Sequence, residues 1–192
     1  MTLHPLCCDR NSSSNNVHRS HPPPALRVEP AKHEWLERLV RSDDEFTAKF
    51  GISVEPGWAG FPEALPAALM AAENKAADPW GSYLFFADDG ALVGFGGFKG
   101  PPQVGAVEIG YAIAPARRRR GLATEAVTEL ISLAAANGVA RVVAHTLPGP
   151  NPSTGVLRKS GFVFAGEEPD PDGGVDEPVW LWLLEIEATR AS

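Results

Sequence analysis

At residues 117–124 the chain reads Arg-Arg-Arg-Arg-Gly-Leu-Ala-Thr, and this run is the strongest indication of its fold. Its four arginines and one glycine stand directly before a helix-forming segment. A helix N-terminus carries partial positive charge and N–H groups without intrahelical partners, so anions stabilise it and cations weaken it. The arginines therefore indicate that an anion binds at this turn, where Gly121 lets the backbone approach it. We expect that anion to be a phosphate group.

The residues around this turn predict an amphipathic helix between two strands. Val107–Ile113 before the turn and Ala140–Ala144 after the helix are strand-like, and Asn137-Gly138 predicts the end of the helix. The unit is a strand, a basic glycine turn, a helix and a strand, which is a βαβ module. The apolar stripe of the helix consists of Leu122, Ala123, Ala126, Val127, Leu130, Ile131, Ala134 and Ala135.

The basic turn could also be a surface patch or a nucleotide-binding loop, but its position fits these less well. A solvated basic patch is the simplest alternative, because most arginine runs are such patches. A nucleotide P-loop is excluded, since no Lys-Ser or Lys-Thr pair follows a glycine at the required spacing. The glycines of residues 94–100 do not form a dinucleotide-binding motif, because Pro101-Pro102 follows them and no helix begins there.

Outside this unit, the pattern predicts helices before and between further strands. Asp88-Asp89-Gly90 predicts a hairpin turn, and Ser42 with Glu45 three positions later is a capping box. Together the elements predict an α/β (α+β) fold, in which helices flank a mixed, mostly antiparallel sheet. The predicted helices are Lys32–Arg41, Ser42–Phe50, Pro62–Lys75 and Ser153–Ser160, and the further strands are Ala25–Val28, Tyr83–Phe86, Ala91–Phe95, Val179–Leu184 and one that begins at Phe162.

The composition indicates one folded domain behind an N-terminal tail. The 192 residues, of which 44% are hydrophobic and 21% charged, suffice for one sizeable core. Residues 1–24 are rich in Ser, Asn, His and Pro and are expected to be disordered, so 25–190 is the predicted domain. A net charge of −7 and a pI near 5.2 disfavour nucleic acid as the main partner.

The sequence contains no sign of a metal framework or a membrane segment. The only cysteines are the neighbours Cys7 and Cys8, which are too close for an ordinary structural disulfide. No apolar run has the length of a membrane span, and no signal-peptide core is present. We therefore expect a cytoplasmic protein that has no metal and no membrane partner.

Two blocks of the sequence resemble one known family. Arg118-x-x-Gly121-x-Ala123 matches the Gln/Arg-x-x-Gly-x-Gly/Ala signature of the GNAT superfamily of acyl-CoA N-acetyltransferases. Glu108–Tyr111 and Ala123–Ala126 are similar to the branch that includes the ribosomal-protein-alanine acetyltransferases. Asn151–Phe162 resembles the Asn-x-(x)-Ser…Val-Leu-x-Lys-x-Gly-Phe block of the same branch. The resemblance covers about residues 26–187.

The resemblance implies acetyl-CoA as the cosubstrate and assigns its binding residues. The side chains of Arg118 and Arg119 would contact phosphate. Main-chain groups of Ile113 and Ala114 would pair with the pantetheine arm as an added strand would. Asn151 would contact the cofactor from the second block. The backbone that would surround the pyrophosphate comprises Arg118, Arg119, Arg120, Gly121, Leu122, Ala123 and Thr124.

Glu108 is the first candidate for the base that deprotonates the acceptor amine. It lies on the strand that enters the basic turn, and a protonated amine cannot attack a thioester. A carboxylate next to Gly110 and Ala112 on one strand face suits a face that is open to substrate. The alternative is a surface glutamate on a half-exposed strand. His145 at the end of the next strand, or water, could serve as the base instead.

Ser153 is the candidate acid for the departing thiolate, with Asn151 as a hydrogen-bonding companion. Asn-Pro-Ser-Thr is also a good helix start, so both residues could simply cap a helix. Many family members place an acidic tyrosine later in this helix, but Gly155–Ser160 contains none, so that mechanism does not carry over. The gap from Asn151 to Ser153 is also one residue shorter than in the common pattern.

The resulting hypothesis is an N-acetyltransferase that moves an acetyl group from acetyl-CoA to a primary amine by direct attack. The acceptor could be a protein N-terminus or a small-molecule amine, and the protein a monomer or a homodimer. The alternatives are a different acyl donor or acceptor, a catalytically inactive CoA-binding regulatory module, or binding of nucleic acid by the arginine run. Acceptor specificity is expected to depend on Trp35–Lys75 and on the loop around Asp170.

Overall fold

The structure is a computed structural model that describes residues 26–73, 79–174 and 176–186. The predicted tail at 1–24 lies outside the described residues, as do both ends of the predicted domain. Five helices occur in the described residues: α1 (His33–Arg41), α2 (Asp43–Phe50), α3 (Leu65–Glu73), α4 (Leu122–Ala136) and α5 (Pro152–Lys159). The strands are β1 (Leu26–Pro30), β2 (Ser82–Ala87), β3 (Leu92–Phe98), β4 (Ala106–Ile113), β5 (Arg141–Thr146), β6 (Val163–Glu168) and β7 (Val179–Glu185).

These strands form one seven-stranded sheet in the order β1-β2-β3-β4-β5-β7-β6. Every neighbouring pair is antiparallel except β4 and β5, which are parallel and are joined by α4. The predicted mixed, mostly antiparallel sheet with a central βαβ unit is therefore confirmed. The pairing of β4 with β5 covers only Ala106–Glu108 against Arg141–Val143, so the two strands part after Glu108.

The sheet has an apolar core on each face. Helix α4 packs on one face over Val107, Ile109 and Val142, while the N-terminal helices pack on the other over Leu84 and Phe86. Side chains of β2 alternate between the two cores, as the period of a strand requires. Each fully buried large apolar side chain contributes about 1.5–3 kcal/mol, so the two cores hold the sheet between its helices.

Local signals in the sequence locate most element boundaries. The hydroxyl of Ser42 accepts from the Glu45 N–H at 3.0 Å and begins α2, as predicted. The predicted helix at Pro62–Lys75 begins with a 3-10 turn at Pro62–Ala64 and continues as α3, and residues 74–75 are not described. No helix in the described ranges is long and apolar enough to cross a membrane.

Candidate active site

The parting of β4 from β5 opens a cleft in the middle of the sheet. The N–H of Ala114 donates to the Val93 carbonyl at 2.8 Å, and the Lys99 N–H donates to the Glu108 carbonyl at 3.0 Å. Because hydrogen-bonding direction alternates along an antiparallel pair, even-numbered residues of β4 direct their main-chain groups to β3. Tyr111 and Ile113 therefore direct theirs into the cleft, where β5 no longer pairs with β4.

Ala114 directs its main-chain groups away from the cleft. Its N–H donates to Val93, and its carbonyl accepts from the Arg117 N–H at 2.9 Å. Ile113 directs its main-chain groups into the cleft, and the pairing of either residue with a pantetheine arm stays a prediction. Tyr111, which the sequence assigned no such contact, is the second β4 residue with main-chain groups on that side.

The basic turn lies at the open end of the cleft. Gly121 precedes α4 with a φ of 88°, and Arg119 has a φ of 62°, so two left-handed residues turn the chain into the helix. Leu122, Ala123 and Thr124 form the first turn of α4, and their N–H groups have no acceptor within the helix. The turn thus presents backbone donors at a helix N-terminus, which is a general arrangement for binding anions.

The four arginines of the turn have different roles. Arg117 forms ion pairs with Asp89 at 2.7 Å and with Glu55 at 2.6 Å. Hydrogen bonds to these carboxylates, that to Asp89 first, raise the pKa of Arg117. Arg118 donates through Nε to the Ile113 carbonyl at 3.0 Å.

Arg117 and Arg118 therefore stabilise the turn itself, and Arg118 is only partly available as the predicted phosphate contact. Arg119 and Arg120 are exposed and form no ion pair with any described residue. Their side chains are the ones that are free to approach an anion from solution.

Glu108 lies at the closed end of the cleft, on the sheet face opposite Val107 and Ile109. Its Oε1 is bound by Nζ of Lys99 at 2.5 Å and by Nδ1 of His145 at 2.9 Å. The Glu108 side chain is 21% exposed, so it is sheltered but reachable. Val107 and Ile109 are buried in the α4 core, so Glu108 lies on the other face of the sheet, and its role as the base stays a prediction.

Each of the two donors to Glu108 is bound by a second carboxylate. Lys99 also forms an ion pair with Asp172 at 2.5 Å, and Nε2 of His145 lies 2.8 Å from Oε1 of Glu168. Burial lowers the pKa of Lys99, but the hydrogen bonds to Asp172 and Glu108 outweigh it, and the net pKa is raised. The Lys99 ammonium is therefore charged at neutral pH.

Ser153 and Asn151 lie at the start of α5 and differ in availability. Oδ1 of Asn151 accepts from the Thr154 N–H at 3.0 Å, and Nδ2 donates to the carbonyls of Leu147 at 2.9 Å and Gly149 at 3.2 Å. Oδ1 of Asn151 thus caps the helix, as in the alternative interpretation of the sequence, and Nδ2 binds the loop that precedes the helix. The Ser153 hydroxyl makes no hydrogen bond to another described residue, so it remains available.

Tyr111 contacts the same end of α5 from β4. Its hydroxyl donates to the Ser153 carbonyl at 3.3 Å across the cleft. Burial raises the pKa of Tyr111, so the hydroxyl stays protonated at any physiological pH.

For several residues that contact Glu108 or its two donors, the sequence shows no pattern from which the contact could be predicted. Lys99 follows a glycine-rich strand, and Asp172 lies in a polar loop without periodicity. Glu168 reaches His145 only because β6 has a register shift between Phe164 and Gly166. No group of three or more His, Cys, Asp or Glu side chains in the described part of the chain is arranged to hold a metal ion.

A cavity of about 420 Å³ lies beside the basic turn, on the face that carries Glu108. Trp58, Gly60, Pro115 and Arg118 contribute to its wall. Gly60 packs directly against Ala112 of β4, because a Cβ added at Gly60 would lie 2.2 Å from the Ala112 Cβ. The loop before α3 therefore closes over the outer part of the cleft.

Comparisons with known proteins agree with this fold. A sequence model described as an acetyltransferase (GNAT) domain matches residues 25–163. The uncharacterized N-acetyltransferase YjdG of Bacillus subtilis (strain 168) is 29% identical over 147 residues, which are 72% of this chain and 86% of that protein.

Two solved structures have a similar fold at low sequence identity. The ribosomal-protein-S5-alanine acetyltransferase from Vibrio fischeri has a TM-score of 0.63 and 17% identity, over 85% of this chain and 94% of the other. RimL, a ribosomal L7/L12 alpha-N-protein acetyltransferase in complex with coenzyme A, has a TM-score of 0.65 and 17% identity, over 86% of this chain and 96% of the other. With more than half of its length matched by the family model, the chain belongs to the GNAT family of acetyltransferase domains and is an acyltransferase enzyme.

Proposed function

We propose that this enzyme transfers the acetyl group of acetyl-CoA to a primary amine, on a protein N-terminus or on a small molecule. The observation that carries the proposal is the cleft between β4 and β5, which has the N-terminus of α4 with its basic turn at one end and a carboxylate at the other. The RimL structure, which contains coenzyme A, supports the choice of cofactor.

In this proposal the cofactor lies along β4. Its diphosphate binds the N–H groups of residues 121–124 and the side chains of Arg119 and Arg120. Its pantetheine arm pairs with the main chain of Ile113 and Tyr111 as an added strand. The Ile113 carbonyl has a second lone pair beside the one that accepts from Arg118, so it can still take part.

The length of β4 supports a position of the thioester near Glu108. Five residue steps separate Ile113 from Glu108, which is about 17 Å along an extended strand. An extended pantetheine arm has a comparable length. With the diphosphate at the turn, the arm would therefore reach Glu108. The reacting carbonyl would then lie where the strands meet, within reach of the Glu108 carboxylate.

The proposed reaction is a direct attack without a covalent enzyme intermediate. Glu108 takes one proton from the acceptor ammonium, directly or through a water molecule, and the free amine attacks the thioester carbonyl. The C–S bond then breaks, and the hydroxyl of Ser153 protonates the departing thiolate and recovers the second amine proton. One amide, one thiol and one released proton result from one ammonium and one thioester.

A thiol-release assay with acetyl-CoA tests this function. The acceptors are peptides with a free N-terminal alanine, spermidine and an aminoglycoside, and binding of CoA is measured separately by calorimetry. Thiol release with at least one amine is the expected result. Tight CoA binding without release for any of them would favour a regulatory CoA-binding module, and no CoA binding would contradict both.

A further inference from the structure

The two donors to Glu108 converge on a single oxygen of its carboxylate. Nζ of Lys99 and Nδ1 of His145 both contact Oε1. The other oxygen, Oε2, forms no hydrogen bond or ion pair with a described residue, and it is not among the buried polar atoms without a partner. One oxygen is therefore held, and the other is open to solvent or substrate.

We propose that Lys99 and His145 are positioning residues of the acetyl transfer. They hold Oε1 of Glu108 and thereby direct Oε2 towards the acceptor amine. This inference rests on the proposed function, in which Glu108 is the base, and it names the residues that orient that base.

The donors are themselves fixed, which a positioning role requires. Lys99 is held between Glu108 and Asp172, and His145 is held between Glu108 and Glu168. His145 is only 10% exposed, so its ring has little freedom to rotate away. A flexible ammonium with a single partner would not define the direction of a carboxylate, whereas one held at two points does.

The resulting chain of contacts runs Asp172, Lys99, Glu108, His145, Glu168, with acidic and basic groups in alternation. It joins the end of β3, the strands β4, β5 and β6, and the loop between β6 and β7. Nδ1 of His145 faces Glu108, and Nε2 faces Glu168. The other four groups of the chain are the titratable groups that it brings around the Glu108 carboxylate.

The two donors matter for the rate through the direction of the carboxylate. Removing either donor should lower the rate by loss of orientation, because Oε2 is then no longer directed towards the acceptor amine.

The test compares Lys99→Met and His145→Gln with the wild type in the thiol-release assay, with the N-terminal alanine peptide and with spermidine. Loss of orientation is expected to lower kcat by about 10- to 100-fold. The CoA dissociation constant should stay unchanged, because neither residue faces the cofactor turn.

Two further variants serve as controls. Lys99→Arg keeps the charge and both contacts, so it should recover most of the lost activity. Arg141→Gln removes an exposed ion pair with Glu185 at the other end of β5 and should leave kcat unchanged. A purely structural role would lower the melting temperature of Lys99→Met while leaving kcat as in the wild type, and this result would overturn the proposal.

Nitrogen NMR of His145 gives a test that needs no acceptor. The proposal requires hydrogen on Nδ1, because only then can the ring donate to Glu108. An Nδ1 without hydrogen in the wild-type protein would overturn the arrangement. Absence of thiol release from the wild type would count against the proposed function alone, and the NMR result would still decide the positioning of Glu108.

Discussion

The hydroxyl of Tyr111 on β4 donates to the main-chain carbonyl of Ser153 at the start of α5, over a distance of 3.3 Å. This bond connects the two sides of the cleft at the point where the strands no longer pair. It ties the helix that carries the candidate acid to the strand that carries the candidate base. The width of the cleft is thus set by a side chain as well as by the sheet.

Replacing Tyr111 by Phe removes this bond and keeps the buried ring. The free energy of unfolding should fall by about 0.5–1.5 kcal/mol, the usual net contribution of one hydrogen bond. Denaturant titration measures this difference. An unchanged unfolding free energy would mean that the hydroxyl does not tie α5 to β4.

Replacing Gly121 by Ala should weaken CoA binding in addition to stability. A left-handed backbone costs a residue with a Cβ about 1–2 kcal/mol, and Gly121 has a φ of 88°. Gly138 at the end of α4, with a φ of 76° and open space around it, gives the matched control. Both variants should lose similar stability, and calorimetry should find weaker CoA binding only for Gly121→Ala.

Replacing Arg119 and Arg120 together by Gln should weaken CoA binding by about tenfold or more, since two charge-assisted contacts to phosphate are lost. The loss should shrink as salt is raised, because exposed charges are screened. Arg117→Gln should instead lower the unfolding free energy by about 1–3 kcal/mol, since its bonds to Glu55 and Asp89 are internal. Equal effects of both changes on CoA affinity would contradict this division of roles.

Replacing Glu108 by Gln should lower kcat by about 10²- to 10⁴-fold, the range for loss of a general base. Calorimetry should find the same CoA dissociation constant, because the carboxylate lies at the far end of the cleft from the turn. Ser153→Ala should lower kcat less, and Asn151→Ala should cost about 1 kcal/mol of stability through loss of the cap. A Glu108→Gln enzyme with wild-type kcat would exclude this residue as the base.

The ion pair of Asp89 with Arg117 should make stability depend on acidity. The N–H of Ala91 and then the Arg117 guanidinium lower the pKa of Asp89 from its ordinary value of 3.8. Because the pKa of Asp89 is lowered in the folded state, its carboxylate contributes fully to stability above pH 3.8. This stability is lost as the pH falls through the lower pKa that Asp89 has in the folded protein. The stability difference between wild type and Asp89→Asn, followed by denaturant titration, should therefore shrink only at strongly acidic pH.

The elements that sequence reasoning located depend on local patterns. The stripe of α4, the Ser42 cap and the hairpin at residues 88–90 each involve residues within a few positions of one another, and all three are found in the structure, except that Ala135 of the stripe is exposed. Glu108 and the basic turn were chosen as candidates in the same way, because they border one βαβ unit.

The contacts that define the candidate site depend on separate parts of the chain. Lys99, His145, Glu168 and Asp172 come from separate elements and loops. The pairing of β3 with β4 brings Lys99 to Glu108, and the pairings of β4 with β5, β5 with β7 and β6 with β7 bring His145 and Glu168. The different roles of the four arginines also depend on contacts between distant segments, since Glu55 and Asp89 contact Arg117 from loops 62 and 28 positions earlier in the chain.

By itself, the sequence determined the order of helices and strands, the basic glycine turn before α4 and the family, because these are properties of neighbouring residues and short motifs. Only the tertiary structure decided which oxygen of Glu108 is free, which arginines face outward and which main-chain groups line the cleft. The physical reason is that strand register and side-chain ion pairs are set by contacts between distant segments, on which spacing along the chain gives no information.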